Sequence, residues 1–413
     1  MAQDNEFINI DIGEPAVPTD AAGVTVDFNY GARVRVPAGS WLVRVINQET
    51  CMILGEFSLN DRIIVSPQKY FIDFRIEIYQ EGALQAVHTY DALGKRVVIR
   101  NCSKALGDTI AWTAYVEAFR RQHGCTVYFA VEEKYQELLQ ESYPEIRFIG
   151  RSEKVEGAYA TYYLGTFKPE QTGTMQPVDW RIAGMQQTAA AILGLPRREL
   201  RTQLRLPHKR LIAEPYVCIA AQSSAQAKYW NNPTGWYETV VYLKQCGYRV
   251  LCIDQLPAYG RGIHWNHIPY GAEDCTGSRP LKERAQMLAE AEFFIGLGSG
   301  LSWLAWAAGC PVILISGFAL PYMEFSTPYR CINYEVCNGC FTDSRVEFDR
   351  EDFTWCPRHK GDSEQFICTR AIPAAMVQRQ IGRLRQDQAA GHRERENTGD
   401  LQKTACIFAG NIV

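Results

Sequence analysis

The sequence predicts an α/β protein: two parallel-sheet units in succession, an antiparallel β module before them and a four-cysteine segment after them. Three observations carry that prediction. Short apolar runs alternate with amphipathic, helix-period segments from Lys95 to Ser316. Apolar and polar residues alternate with period two between Val24 and about Tyr90. Four cysteines, Cys337, Cys340, Cys356 and Cys368, gather in a turn-rich stretch late in the chain. The expected divisions are a β module over 1–94, a first α/β domain over 95–205, a second over 206–330, the cysteine segment over 331–372, and a C-terminal helix with a mobile tail over 373–413.

Composition bounds the function. With 413 residues, 46% of them hydrophobic and 22% charged, the chain can bury two or three cores. A formal charge of −3 argues against a nucleic-acid or membrane-surface partner. The start, MAQDNEFINIDIGEPAVP, has no basic n-region followed by an apolar core, and no run of about 18 apolar residues occurs, so a cytoplasmic protein is expected. Of the 14 cysteines, Cys125, Cys218, Cys246, Cys252 and Cys310 lie in or beside apolar strand and helix patterns, where a free thiol acts as a small hydrophobe.

Residues 1 to about 20 read as a loose arm. VTVDFNY, ARVRVP, WLVRVI and FIDFRIEIYQ then repeat the period-two theme between turns rich in Gly, Pro and Asn. In the last of these, Ile72, Phe74, Ile76 and Ile78 face one way and Asp73, Arg75 and Glu77 the other. Nothing in the module offers chemistry, so it reads as a cap on the body or a surface for a protein partner. At Lys95 a parallel layer begins: RVVIRN is a strand, CSKALGD a turn, TIAWTAYVEAFRRQHG a helix stopped at Gly124, and CTVYFAV the next strand. Asp108 sits beyond the carboxyl end of the first strand, where ligands collect in such sheets. A carboxylate there can take the proton of an acceptor hydroxyl, or it can simply cap the helix. A helix around Glu132–Ser142, strands near Arg147–Ile149 and Ala158–Gly165, and a long helix from Val178 to Leu193 follow. The basic, proline-punctuated LPRRELRTQLRLPHKRLIAEP reads as a linker.

The second layer starts at Tyr216. In YVCIAAQSSAQAKYW a strand leads to a polar turn, in which Ser223, Ser224 and Lys228 can cradle a phosphate. The helix WYETVVYLKQCG, the strand YRVLCID ending at Asp254, and the helix LKERAQMLAEA opening at Leu281 continue the alternation. FFIGLGSGLSWLAWAAGCPVILIS is then a complete βαβ unit: strand, glycine turn at Gly298, Ser299 and Gly300, helix Leu301–Ala308, stop at Gly309, strand. Such a turn lets backbone approach a ligand and aims free N–H groups and the positive end of a helix dipole at it, which favours phosphate. The spacing is neither the dinucleotide fingerprint nor a P-loop. The late cysteines open with a CxxC pair around Gly339; four thiolates suit tetrahedral zinc or iron, and residue chemistry leaves that choice open. Four protein ligands leave no vacant position, so the site should be structural. QDQAAGHRERENTGD, from about Gln386, reads as a turn-rich mobile tail.

GDTIAW, the Ser224–Lys228 turn and LGSGLSWLAWAAGCPVI resemble the bacterial ADP-heptose glycosyltransferases of lipopolysaccharide synthesis, whose GT-B architecture sets two Rossmann-like domains around one cleft. The chain departs where that family carries Asp-Thr-Gly-Leu-Ser-His: it has Gly298, Ser299, Gly300, Leu301, Ser302 and Trp303, without the Asp and the His. With the N-terminal β module, PYMEFSTPYR and VCNGCF…WCP…ICT added, it resembles the bacterial autotransporter heptosyltransferases over nearly its whole length. That resemblance implies inverting transfer of heptose from ADP-D-glycero-β-D-manno-heptose to serine hydroxyls of an autotransporter adhesin passenger in the cytoplasm. It implies a structural Fe(III), one per chain, held by Cys337, Cys340, Cys356 and Cys368, and a homo-oligomer, a dodecamer. It also implies Asp108 as base and Lys228 as the phosphate-binding lysine. The remaining candidate substrate-binding residues are Ala105, Leu106 and Gly107 beside the base, Gln222 and Ser224, and Ser299, Gly300 and Leu301 at the helix start. Asp254 is placed to take hydrogen bonds from the adenosine and Leu281 to pack on the adenine; Met323, with Glu324 beside it, comes from the loop after the last sheet strand. Two readings compete: a nucleotide-sugar sensor, which needs Lys228 and the Ser299 turn but not Asp108, and a lipopolysaccharide-type transferase with a non-protein acceptor.

Overall fold

The computed structural model describes residues 13–207, 210 and 212–390. Within them the first sheet has eight strands. Its centre is parallel and apolar on both faces: Arg147–Ile149, Thr126–Ala130, Arg96–Asn101 and Ala160–Leu164 lie side by side in that order. Beyond Ala160–Leu164 the sheet continues into N-terminal strands. Thr25–Asn29 pairs parallel to it, and Arg33–Val36 and Arg62–Val65 add antiparallel ribbons outside. The remaining module strands form a separate four-stranded antiparallel sheet, in the order Met52–Leu59, Trp41–Asn47, Phe74–Gln80, Ala83–Thr89.

Backbone pairing thus crosses the division expected at residue 94. The reason is local: Thr25–Asn29 is nearly all buried and bears polar groups that need partners inside. Asn29 Nδ2 donates to the Ala158 carbonyl at 2.6 Å and Thr161 Oγ1 donates to Asn29 Oδ1 at 2.7 Å. Asp27 receives Nε and Nη2 of the buried Arg33 at 2.7 and 2.5 Å. Period-two reading finds the strands but not which sheet they join.

The second sheet is parallel throughout, in the order Glu273–Asp274, Arg249–Cys252, Tyr216–Ile219, Phe294–Leu297, Val312–Ile315, Arg330–Cys331. Its edge strands pair over only two residues each and leave no periodic signal. The hairpin Ala258–Arg261 with His264–His267 is polar and likewise illegible in the sequence. Among the described residues no helix is long and apolar enough to cross a membrane.

Two expectations are corrected. The helix from Val178 to Leu193 is two helices, Trp180–Ala183 and Met185–Ile192, broken at Gly184, whose φ is +83° and where a Cβ would lie 2.3 Å from the Tyr322 carbonyl oxygen. The turn-rich reading from Gln386 fails at its start, because a helix runs over 374–390 and buries Val377, Ile381 and Leu384 on the second sheet. The rest of that tail, and most of the N-terminal arm, lie outside the described residues. The basic linker is laced down: Thr202 Oγ1 donates to the Ile110 carbonyl at 2.5 Å and accepts the Ala114 N–H at 3.2 Å, while Leu204 N–H donates to the Ala307 carbonyl at 3.1 Å. One buried apolar cluster runs from Val97 through Tyr115 to Leu251, Trp303 and Phe325, so the two sheets share a core.

Candidate active site

Two helices of the two sheets meet head to head. Leu106–His123 follows the strand Arg96–Asn101, whose last side chain sets the turn: Asn101 accepts the Ser103 N–H and donates to Thr109 Oγ1, both at 2.8 Å. Gly300–Ala307 follows the strand Phe294–Leu297, with Ser302 Oγ donating to the Leu297 carbonyl. A Cβ on Gly107 would lie 2.9 Å from Trp303 Cδ1, and one on Gly300 would lie 3.1 Å from Leu106 Cβ. The helix starts touch because those positions are glycine. Both positive dipole ends face one cleft of about 900 Å³.

Every candidate catalytic and substrate-binding residue lines that cleft: Ala105, Leu106, Gly107 and Asp108 on one wall, and Gln222, Ser224, Lys228, Asp254, Leu281, Ser299, Gly300, Leu301 and Met323 on the other. Asp108 is the third residue of its helix and not its cap, which is Ala105 with no side-chain bond. The carboxylate is therefore not the helix cap. Burial pushes its pKa up, against a hydrogen bond from Ser103 and the fields of Lys228 and Arg350. Lys228, at the end of the turn Gln226–Lys228, has Nζ 5.1 Å from the Phe318 ring centroid and 5.9 Å from that of Phe341. Burial pulls its pKa down, while Asp108 and Glu324 push it back up. The Asp108 carboxylate and the Lys228 ammonium feel each other across the cleft.

Asp254 has an inward role. Its Oδ2 accepts the Ala221 N–H at 2.8 Å and Oδ1 the Gln222 N–H at 3.2 Å, so it fixes the turn after Tyr216–Ile219 from below. Ser299 caps the second helix with extended backbone and no side-chain bond to it, leaving its hydroxyl available. Met323 is buried in the floor.

Glu324 is more than a neighbour of Met323. It also lines the cleft, bonded by Arg330 Nη1 and by Ser316 Oγ at 3.3 Å, and a Cβ on Gly298 would stand 2.2 Å from its Oε1. The aspartate absent at 298 thus has a counterpart: a carboxylate reaching the same spot from the next loop. Gly298→Ala is expected to dislodge that carboxylate from Arg330, costing about 1–3 kcal/mol in denaturant unfolding and weakening ADP binding. Unchanged stability and affinity would refute this placement. Ser103, Tyr259, Arg279 and Arg350 also face the cleft without any warning in the sequence, since Tyr259 stands in a short polar strand and the others in loops with no motif around them.

The four late cysteines come together behind the floor. Burial first, then neighbouring thiols, push Cys340 and Cys368 each up to about 12; Cys368 feels Cys356, Cys340 and Cys337. Arg358 Nη1 lies 3.4 Å from Cys337 Sγ, a cation suited to an anionic thiolate cluster. Gly339 takes the left-handed conformation at φ 72° that the CxxC turn needs. Among the described residues no three His, Cys, Asp or Glu side chains are placed to hold a metal ion together; the four thiols fit a four-thiolate metal in kind. The segment's Cys340, Phe341, Phe348, Trp355 and Cys356 pack with Ala227, Phe318 and Met323, directly under Lys228.

Residues 21–82 match the N-terminal domain of glycosyltransferase TibC, and residues 181–333 match glycosyltransferase family 9 (heptosyltransferase). The autotransporter heptosyltransferase BAHTCr of Citrobacter rodentium is 46% identical over 378 residues, which are 90% of this chain and 92% of that one. The chain belongs to the autotransporter heptosyltransferase family. Within it, the crystal structure of TibC from enterotoxigenic Escherichia coli, an iron-containing dodecameric glycosyltransferase, superposes with a TM-score of 0.87 at 44% identity, covering 91% of this chain and 98% of that one. TibC has also been solved with ADP-D-beta-D-heptose. Not every autotransporter heptosyltransferase is catalytic: the inactive BimC of Burkholderia thailandensis is 38% identical, over 87% of this chain and 85% of its own.

Proposed function

We propose that this chain is an inverting protein O-heptosyltransferase, moving heptose from ADP-D-glycero-β-D-manno-heptose to serine hydroxyls of an autotransporter adhesin passenger. The observation that supports it most is Asp108 facing Lys228 across one cleft between two helix N-termini. Asp108 takes the serine proton as Oγ attacks the anomeric carbon from the face opposite the diphosphate. The C1–O bond breaks and its electron pair passes to the β-phosphate oxygen. Lys228 and the amides at Ser299–Leu301 hold the charge that develops there. Ala105–Gly107 bound the acceptor side; Gln222 and Ser224 line the phosphate turn that Asp254 fixes; Leu281 packs on the adenine. A sensor would need the phosphate side alone, and the base on the opposite wall favours transfer.

Cys337, Cys340, Cys356 and Cys368 would hold one Fe(III) per chain, which supplies a rigid structural centre beneath Lys228. The assembly, as in TibC, would be a dodecamer, and the reaction cytoplasmic, before passenger export. Intact-mass analysis of a co-expressed passenger in a host making ADP-heptose tests the activity: wild type adds whole heptose units. No added mass with confirmed donor would count for the sensor. Cys356→Ser is expected to abolish bound iron by elemental analysis, lower the unfolding midpoint and weaken ADP binding through Phe341 and Lys228. Full iron content in that variant would exclude Cys356 as a ligand.

A further inference from the structure

The cysteine segment carries three arginines with partners and one without. Arg345 and Arg358 both pair with Asp343, at 2.8 and 2.5 Å, and Arg370 donates to the Ser363 carbonyl at 2.5 Å. Arg350, between Cys340 and Cys356, makes no hydrogen bond or ion pair among the described residues. It lines the cleft with Asp108 and Lys228, beside Phe341 and Phe348 of the same segment. Its charge is felt by both groups, favouring the ionised form of Asp108 and disfavouring that of Lys228. Two cations set near each other at one wall repel, and that arrangement becomes favourable only when an anion lies between them.

We propose that Arg350 is a further binding residue for the nucleotide diphosphate, a second side-chain cation brought to the leaving group by the cysteine segment. The inference rests on the donor reading above. A guanidinium fork can take two phosphate oxygens at once, where an ammonium acts as a point charge. When the C1–O bond breaks, the diphosphate gains a negative charge, so Arg350 holds the departing ADP more strongly than the intact donor. Its contribution therefore belongs more to kcat than to KM. Lys228 reaches the cleft from a turn of the second sheet's own unit, and Arg350 reaches it from the loop segment that follows the last sheet strand.

The experiment uses the full-length, metal-loaded protein and titrates ADP, AMP and adenosine calorimetrically into wild type, Arg350→Ala and Arg350→Lys. Arg350→Ala should weaken ADP binding about 10- to 100-fold, leave adenosine unchanged and retain the wild-type metal content; Arg350→Lys should recover part of the loss. In heptose transfer, kcat should fall by more than KM rises. Wild-type ADP affinity in Arg350→Ala, or equal losses for ADP and adenosine, would overturn the assignment. Wild type that binds none of the three probes would overturn the donor reading, and this assignment with it.

Discussion

Asp108→Asn is expected to abolish heptose transfer in a protein that still folds and still binds ADP. The substitution keeps the shape and removes the proton acceptor, so the loss should be at least about 10²- to 10⁴-fold in kcat. ADP affinity should not fall, because the lost carboxylate faces the same cleft as the diphosphate and can only repel it. That combination separates a base from a helix cap: a cap variant would unfold more easily and keep its activity. The geometry already favours the base, since the cap position is Ala105. The pH profile gives a second reading. A general base works ionised, and burial lifts Asp108 above the ordinary aspartate range. Activity should therefore fall with acidity at a higher pH than an exposed aspartate would give, and Asp108→Asn should remove that limb. Measuring kcat/KM against pH with saturating passenger checks it; an acid limb kept by the variant would place the base elsewhere.

Lys228→Met should lower kcat by about 10²- to 10³-fold and weaken ADP binding as well, since the same ammonium serves ground state and leaving group. Here the sign runs the other way. Lysine works protonated, and burial lowers its pKa, so the alkaline limb should arrive below the pH at which an exposed lysine titrates. Wild type then shows a bell whose two sides belong to opposite walls of the cleft, narrower than free aspartate and lysine would give. Near wild-type ADP affinity in Lys228→Met would remove the lysine from the diphosphate.

The lining of the candidate cleft was largely legible because its parts are local. A strand end, a glycine turn and a helix start are each written within a few residues, as in Asn101–Asp108 and Leu297–Leu301, and the parallel-sheet rule then sends both turns to one cleft. Asp254 was legible in place, since its position at a strand end is local, but its bonds to Ala221 and Gln222 were not, since they reach across to another strand. Glu324 was legible as a neighbour of Met323 able to face the cleft, but not its place against Gly298, a contact between positions far apart in the chain. Arg350 left no trace, as a lone arginine in a turn looks solvated until the floor beneath it is built. In the fold, the edge strands Glu273–Asp274 and Arg330–Cys331 were too short to carry a period. Gly184, inside an otherwise helical run, broke the helix because Tyr322 occupies the space a straight helix would need.

The parallel pairing of Thr25–Asn29 with Ala160–Leu164 bears on how such proteins can be recombined. A chimaera that exchanges the N-terminal segment between relatives, to redirect an enzyme to another adhesin, is not a simple graft at residue 82 or 94. The junction runs through the middle of a sheet, and Asn29 from one parent must meet Thr161 and the Ala158 carbonyl of the other. Exchange is permissible where both parents carry that match, and otherwise the two strands must travel together.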